Sequence, residues 1–403
     1  MKKLATLLLA PGLAYAGPPS EEIATAPAAE YWIKPTIDIR ARYEFGVADG
    51  LDASHAFTLR ERLGLQTQEW NGFSAFIEGE FTQTPLDDYN GGGGAPPVTP
   101  GNTPINDPET NELNQGYIQY DGFDTMFRVG RQRIIYDNAA FIGNVGWRQN
   151  EQTYDAISFS SKALTGFTFN YAYINQVNRI FGSETTVPNF DYDTTSIHLF
   201  NATYSGFEGV TLGAYAYIMD FDSIQAFDNN TYGGFVKTDL YGLAYYGEYA
   251  FQDHVIDGAG NKQHADYAHV SLTKALGDQS VTAGVEYLSA DFRTPLATVH
   301  AFNGYADAFL LQRLFGGTGG LTDAYISHSL PLFAGIKMTN SVHIYGDNAV
   351  DAGRGWEIDS VLAKKFDDHF TGILKVAHFE SESNTATAVP TTTRASVELN
   401  YKF

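Results

Sequence analysis

Arginine is the residue that stands out when this chain is read for chemistry. Arg128, Arg131, Arg133 and Arg148 crowd into the stretch from Phe127 to Phe159, FRVGRQRIIYDNAAFIGNVGWRQNEQTYDAISF. Arg40, Arg42, Arg60 and Arg62 occupy alternate positions earlier in the chain, and Glu78 and Glu80 keep the same spacing. Asp155 lies just past the crowded stretch, placed to hold one of its guanidinium groups. Facing rows of opposite charge set a field across an enclosed space and orient charged or dipolar solutes. The same rows also serve as a salt-bridge ladder that stiffens a wall, and spacing alone leaves both readings open.

Other chemistries find little support. The ten histidines show no HExxH or comparable metal-ligand spacing, and no G-x-S-x-G nucleophile elbow occurs. The glycine run Gly91 to Gly94 lacks the strand–loop–helix context and the lysine of a phosphate cradle; with its prolines it reads as a mobile outer lid. NDPETNE, Asn106 to Glu112, only weakly resembles a calcium loop and reads as a solvated acidic connection. No enzyme is expected.

The arginines must sit on elements that give them a common face. Ile37, Ile39, Ala41, Tyr43 and Phe45 alternate with Asp38, Arg40, Arg42 and Glu44. Phe57, Leu59, Leu63 and Leu65 oppose Thr58, Arg60, Arg62 and Gln66, and Ala75, Ile77 and Phe81 oppose Glu78 and Glu80. A period of two with one apolar side predicts strands. Similar segments recur at 113–120, 125–134, 152–160, 166–176, 195–204, 209–219, 231–238, 240–251, 265–274, 280–289, 321–330, 335–345, 355–364, 371–380 and 392–403. That makes about eighteen, at the ~10-residue spacing of outer-membrane barrels.

Short connections such as Asp121-Gly122-Phe123 and Gly277-Asp278-Gln279 alternate with long ones such as Thr84 to Glu112, Ile134 to Glu151 and Asp291 to Gly320. Short periplasmic turns and long outer loops have that rhythm. The chain ends on an alternating strand closing with Tyr401 and Phe403, resembling the C-terminal signal read by the outer-membrane assembly machinery.

Lys2 and Lys3, an apolar run through Leu9, and Ala14-Tyr15-Ala16 form a Sec-type signal peptide over residues 1–16. Residues 17–33 read as a periplasmic lead-in and 34–403 as the barrel. The composition agrees: 25 Tyr and 28 Phe against 4 Trp, 40 Gly and no cysteine. A net charge of −22 argues against nucleic acid as a partner. Many acids lie in the loops, as at Asp87, Asp88, Asp107, Asp220, Asp222 and Asp228. No cofactor is expected beyond Ca2+ or a similar ion bridging those loops to lipopolysaccharide.

The fold class is therefore all-β: a transmembrane antiparallel up-and-down barrel, wide enough at this strand number to hold an aqueous channel. Two positions break the alternation. Arg131 and Arg133 share parity with Phe127 and Val129, and arginine facing lipid costs about 2–4 kcal/mol near the midplane. A bulge near Gly130 that turns Arg131 inward is expected. Glu61 lies among outward leucines and marks a bulge, the interface zone or a subunit contact. Ile134 to Glu151 is expected to fold into the lumen, and the apolar stretch His300 to Leu311 to pack on the inner wall.

GRQRIIYDNAAFIGNVGWRQNEQTYDAISF (Gly130 to Phe159), HAFNGYADAFL (His300 to Leu310) and GGLTDAY (Gly319 to Tyr325) resemble segments of the alginate-export family of outer-membrane proteins. The resemblance implies an eighteen-stranded barrel whose arginine-lined constriction passes anionic polysaccharide. It also implies that Arg128, Arg131, Arg133, Arg148 and Asp155 line the pore. The chain departs from the exporter in length and in its short turn at Asp367 to His369, where the exporter carries a periplasmic plug. Its lumen also holds Glu286, Glu357 and Asp359. Those departures point to a channel for passive diffusion of small hydrophilic, anionic or saccharide solutes, with dedicated export of an anionic polysaccharide as the alternative. Lipid, lipopolysaccharide, the solutes and the assembly machinery are the expected partners.

Overall fold

A computed structural model describes residues 32–183, 185, 195–222, 224, 227–255, 262–317, 319–348, 352–382 and 389–403. The expected leader, and the lead-in up to residue 31, lie outside them. Eighteen antiparallel strands pair in sequence order, and the last pairs with the first to close a barrel. The first six are β1 (Ile33–Ala48), β2 (Ser54–Thr67), β3 (Phe73–Asp88), β4 (Thr110–Gly122), β5 (Thr125–Gln132) and β6 (Thr153–Ser161). Then come β7 (Phe167–Asn178), β8 (Thr195–Phe207), β9 (Val210–Phe221), β10 (Asn229–Leu240), β11 (Leu243–Val255) and β12 (Lys262–Leu276). The circuit ends with β13 (Gln279–Leu288), β14 (Leu321–Pro331), β15 (Ile336–Asp347), β16 (Ala352–Lys365), β17 (Phe370–Ser381) and β18 (Thr392–Lys402).

Closure follows from the backbone: an open edge facing hydrocarbon would leave donors and acceptors unpaired at a cost of several kcal/mol each. The seam is tight. Phe403 N donates to Ile37 O at 2.8 Å and Ile37 N to Phe403 O at 2.9 Å. The alternation read from the sequence sets which side chains face out. Leu63 is 49% exposed and Ile118 61%, while Arg60 is fully buried. Aromatic contacts flank the apolar band at both ends. Phe73–Tyr120, Phe167–Tyr204 and Phe370–Tyr401 lie toward the turns. Phe45–His55, Tyr232–Phe251 and Trp356–His378 lie toward the loops.

The connections at the end where β1 begins and β18 finishes are short, and most at the other end are long, but the alternation is not uniform: residues 49–53 make a tight loop. Two of the long ones, loop 3 (133–152) and loop 7 (289–320), fold into the barrel as expected. Loop 7 carries a short helix, α1 (Leu310–Phe315). Their apolar side chains meet an inner wall that is itself apolar. Phe141 of loop 3 lies 5.3 Å from the Tyr215 ring, 5.1 Å from Tyr267 and 6.0 Å from Phe292 of loop 7. Ile174, Ile197, Leu199, Tyr217 and Phe221 complete this core. β7, β8, β9 and β12 are thus largely apolar on both faces toward the loop end, and the simple expectation that the inner side is polar throughout fails there, while β10 and β11 keep Asn229, Thr231, Gln252 and His254 inside. Near the turn end the inner surface returns to hydroxyls, such as Thr273 with Thr282 and Ser327 with Ser341.

Candidate functional site

β1 and β2 run side by side and place Arg40, Arg42, Arg60 and Arg62 on the inner face, all 5% exposed or less. Their partners are lateral neighbours. Arg62 pairs with Glu80 on β3, Arg60 with Asp38 on β1, and Arg42 reaches Glu398 of β18 at 2.9 Å. Glu78 accepts from Asn114 at 2.8 Å and Gln115 at 3.0 Å. Of the two readings that spacing left open, the geometry matches the stiffening ladder, with each charge held by the adjoining strand. A separate acidic arc spans β11–β16. Glu248 takes the hydroxyls of Tyr215 and Tyr246, Glu286 pairs with Arg313 of loop 7 at 2.9 Å, and Asp323 bonds His343 at 2.9 Å.

Loop 3 is fastened to the basic wall. Arg148 lies 3.3 Å from Glu44 and 2.8 Å from Asp307 of loop 7. The Trp147 carbonyl accepts from Arg40 at 2.9 Å. The Arg42 guanidinium lies 3.9 Å from the Trp147 ring centre, the His300 ring stacks on that indole at 4.4 Å, and Lys375 Nζ sits 3.5 Å from it. Lys375 Nζ is also 2.9 Å from His300 Nε2, and His300 Nδ1 is 2.7 Å from Asp307. Burial pushes the His300 imidazole down to about 3, more than the nearby Asp307 raises it. Burial alone would raise the Asp307 and Glu151 carboxyls, but the hydrogen bond from His300 with the Arg148 charge, and Arg133 with Arg62, outweigh it and hold both well below the usual range. The cluster is therefore charged on loops 3 and 7 and neutral at His300.

The crowded arginines divide between the two sides of the wall. Arg128 faces inward near the turn end, over the Tyr117 ring at 4.1 Å and bonded to Gln119. Arg133 faces inward and pairs with Glu151, its side chain 33% exposed. Arg131 corrects the expectation: it faces outward with Phe127 and Val129. β5 pairs without irregularity through Gly130, opposite Tyr117 and Ala156, and the bulges fall elsewhere, in the β3–β4 and β6–β7 ladders. The phase reverses only after Gln132, where the strand ends. Asp155 faces outward too, taking Arg131 in a fork at 2.7 and 3.0 Å, while the Leu113 carbonyl accepts from Arg131 at 3.0 Å. That neutralisation replaces the expected bulge. Arg131 and Asp155 therefore leave the inner site, and Glu61 also faces outward, between Leu59 and Leu63.

Several members of the cluster escape a motif search, among them Glu44, Asp307, Arg313, Lys375, Arg394 and Glu398. For Glu44 and Glu398 the signal was present, since each shares the inward parity of its strand. Loop 7 residues carry no such parity.

The alginate-export family model matches residues 31–251. The chain belongs to that family. No curated protein matches it. Among solved structures, Pseudomonas aeruginosa OccK9 (OpdG) superposes with a TM-score of 0.69 at 14% identity, covering 92% of this chain and 98% of that one. P. aeruginosa OpdK with vanillate gives 0.67 at 11%, covering 92% and 98%. Acinetobacter baumannii OccAB2 gives 0.66 at 14%, also covering 92% and 98%. At such identity the likeness concerns the fold. Family membership and the apolar outer band together place this barrel in the outer membrane.

Proposed function

We propose that this member of the alginate-export family is a passive outer-membrane channel, not an enzyme, for small hydrophilic solutes of anionic or saccharide type. The reading is carried by loops 3 and 7, which occupy the lumen and set Arg133, Arg148 and Arg313 within it. Arg133 keeps a third of its side chain exposed there. Arg60 and Arg62 lie sealed in the wall, so Arg133 is the guanidinium open to a passing carboxylate or hydroxyl. Such contacts must be weak, because conduction requires release as well as entry. Arg40, Arg42 and Arg148 hold the loops rather than the solute, and Glu78 and Glu80 keep the arginines spaced. That OpdK was solved with vanillate, an aromatic carboxylate, supports a small organic anion as the solute class.

No cofactor is needed for this activity. Asp107, the centre of the acidic outer stretch, is turned inward to Arg42 at 3.1 Å and Arg148 at 3.7 Å, so calcium bridging to lipopolysaccharide would fall to more exposed acids such as Asp87. Phe403 stays exposed at the seam for the assembly machinery.

Family membership favours a second reading, export of an anionic polysaccharide. Planar-bilayer recording separates the two: small steady conductance with moderate anion preference and no effect of added polyuronate supports the diffusion channel. Strong anion selectivity with polyuronate block supports the exporter. Absence of conductance overturns both.

A further inference from the structure

The outer face of β2–β7 departs from the rest of the barrel. On β1, Ile37, Ile39, Ala41, Tyr43 and Phe45 face outward in succession, whereas on β5 only Phe127 and Val129 do so before Arg131. On β6 only Phe159 and Ile157 precede Asp155. Arg131 lies in one hydrogen-bonded row with Leu65, Ile77, Gly116, Asp155 and Gln176. One step toward the turns the outward row is Ile118, Val129 and Ile157, 61%, 53% and 55% exposed, so the ion pair borders the apolar lipid-facing band. On β2, Glu61 has Phe57 and Leu59 above it and Leu63 and Leu65 below. It makes no ion pair or hydrogen bond with any described residue, and across the register it meets only Ile39 and Phe81. Gln83, Asn111 and Asn178 extend the polar area toward the loops.

Acyl chains cannot solvate these groups, and an arginine in lipid costs about 2–4 kcal/mol at the midplane. Phospholipid headgroups sit at the edges of the band, and the patch, with two carboxylates to one guanidinium, would repel anionic ones. A protein surface of matching polarity satisfies it. The patch is self-complementary, offering a carboxylate at Glu61 and donors at Arg131, Gln83, Asn111 and Gln176, while Asn178 already donates to Asp155 at 3.2 Å.

We infer that the β2–β7 face is the contact through which a second copy of this chain docks within the membrane, Glu61 of one copy meeting the amide and guanidinium donors of the other. A symmetric self-contact needs only this one patch.

The chain has no cysteine, so single substitutions report proximity directly. Gln83→Cys and Leu113→Cys, oxidised in native outer membranes, are expected to give a disulfide-linked species of twice the chain's mass, and Val270→Cys on the distant face of β12 is expected to give none. Adding Glu61→Leu to Gln83→Cys should weaken cross-linking about tenfold, a loss of ~1.4 kcal/mol in association, while the barrel keeps its heat-modifiable mobility. Equal yields at Gln83 and Val270, cross-links at a mass other than twice the chain's, no cross-links at either patch position, or indifference to Glu61→Leu each overturn the inference.

Discussion

Arg131 and Arg133, two positions apart, end on opposite sides of the barrel wall, and the proposed channel function assigns selectivity to Arg133 alone. Arg133→Ala is expected to lower the anion-to-cation permeability ratio, read from the reversal potential under a salt gradient. Arg131→Ala should leave both ratio and conductance unchanged; the reverse pattern would remove the proposed constriction. His300 supplies a second test at this scale. Its folded pKa, about 3, lies below the ordinary 6.5, so below pH 6.5 the unfolded chain binds the extra proton and the folded chain does not. Stability from this site is complete above about 6.5 and declines as pH falls toward 3. A midpoint of urea unfolding that drops between pH 7 and 4.5, and drops less in His300→Gln, checks the sign. Of these residues, the inward parity of Arg40, Arg42, Arg60 and Arg62 could be read from alternation. The placement of Arg131 could not, because its outward position depends on Asp155 standing opposite across a ladder whose register no local pattern reveals.

Among the elements, loops 3 and 7 are the ones the proposed function depends on. Their sequences were too apolar for free loops, and Phe141, Ile142, Phe292 and Leu296 explain why: they share a dry core with the inner faces of β7 to β12. Phe141→Ala, truncating the ring at the centre of that core, is expected to cost about 3–5 kcal/mol, measured as a lowered unfolding midpoint in detergent. Replacing 295–312 by a short Gly/Ser linker removes His300 and Asp307 from the lumen and should raise single-channel conductance several-fold. Unchanged conductance would show that loop 7 does not set the bore. The sequence announced that these loops were unusual but not what they pack against, since the inward aromatic positions of β9 and β12 look like ordinary strand residues until the loop arrives.

Across the whole molecule, the same ion pairs that shape the lumen also hold the seam. Arg42 of β1 and Glu398 of β18 are 2.9 Å apart with neither side chain more than 1% exposed, and Arg40 adds a bond to Asn400 at 2.9 Å. Glu398→Ala removes the buried carboxylate shared by Arg40 and Arg42, leaving Arg42 with Asp107 alone as its ion-pair partner, and is expected to destabilise the barrel by about 3 kcal/mol, seen as loss of heat-modifiable mobility at lower temperature. Glu398→Gln, which keeps an acceptor, should cost less.

Strand number, closure, membrane location and the inward-facing arginines of β1 and β2 were all determined by the sequence alone. A period-two pattern states which side of a strand is apolar, and lipid forbids any arrangement with an open edge. Whether each charge meets a solute, a neighbouring carboxylate or the outer surface was decided only by the tertiary structure. Ion pairing depends on which strands are neighbours, on where a register slips by one residue, and on where a distant loop comes to rest, and none of these is a property of the local chain.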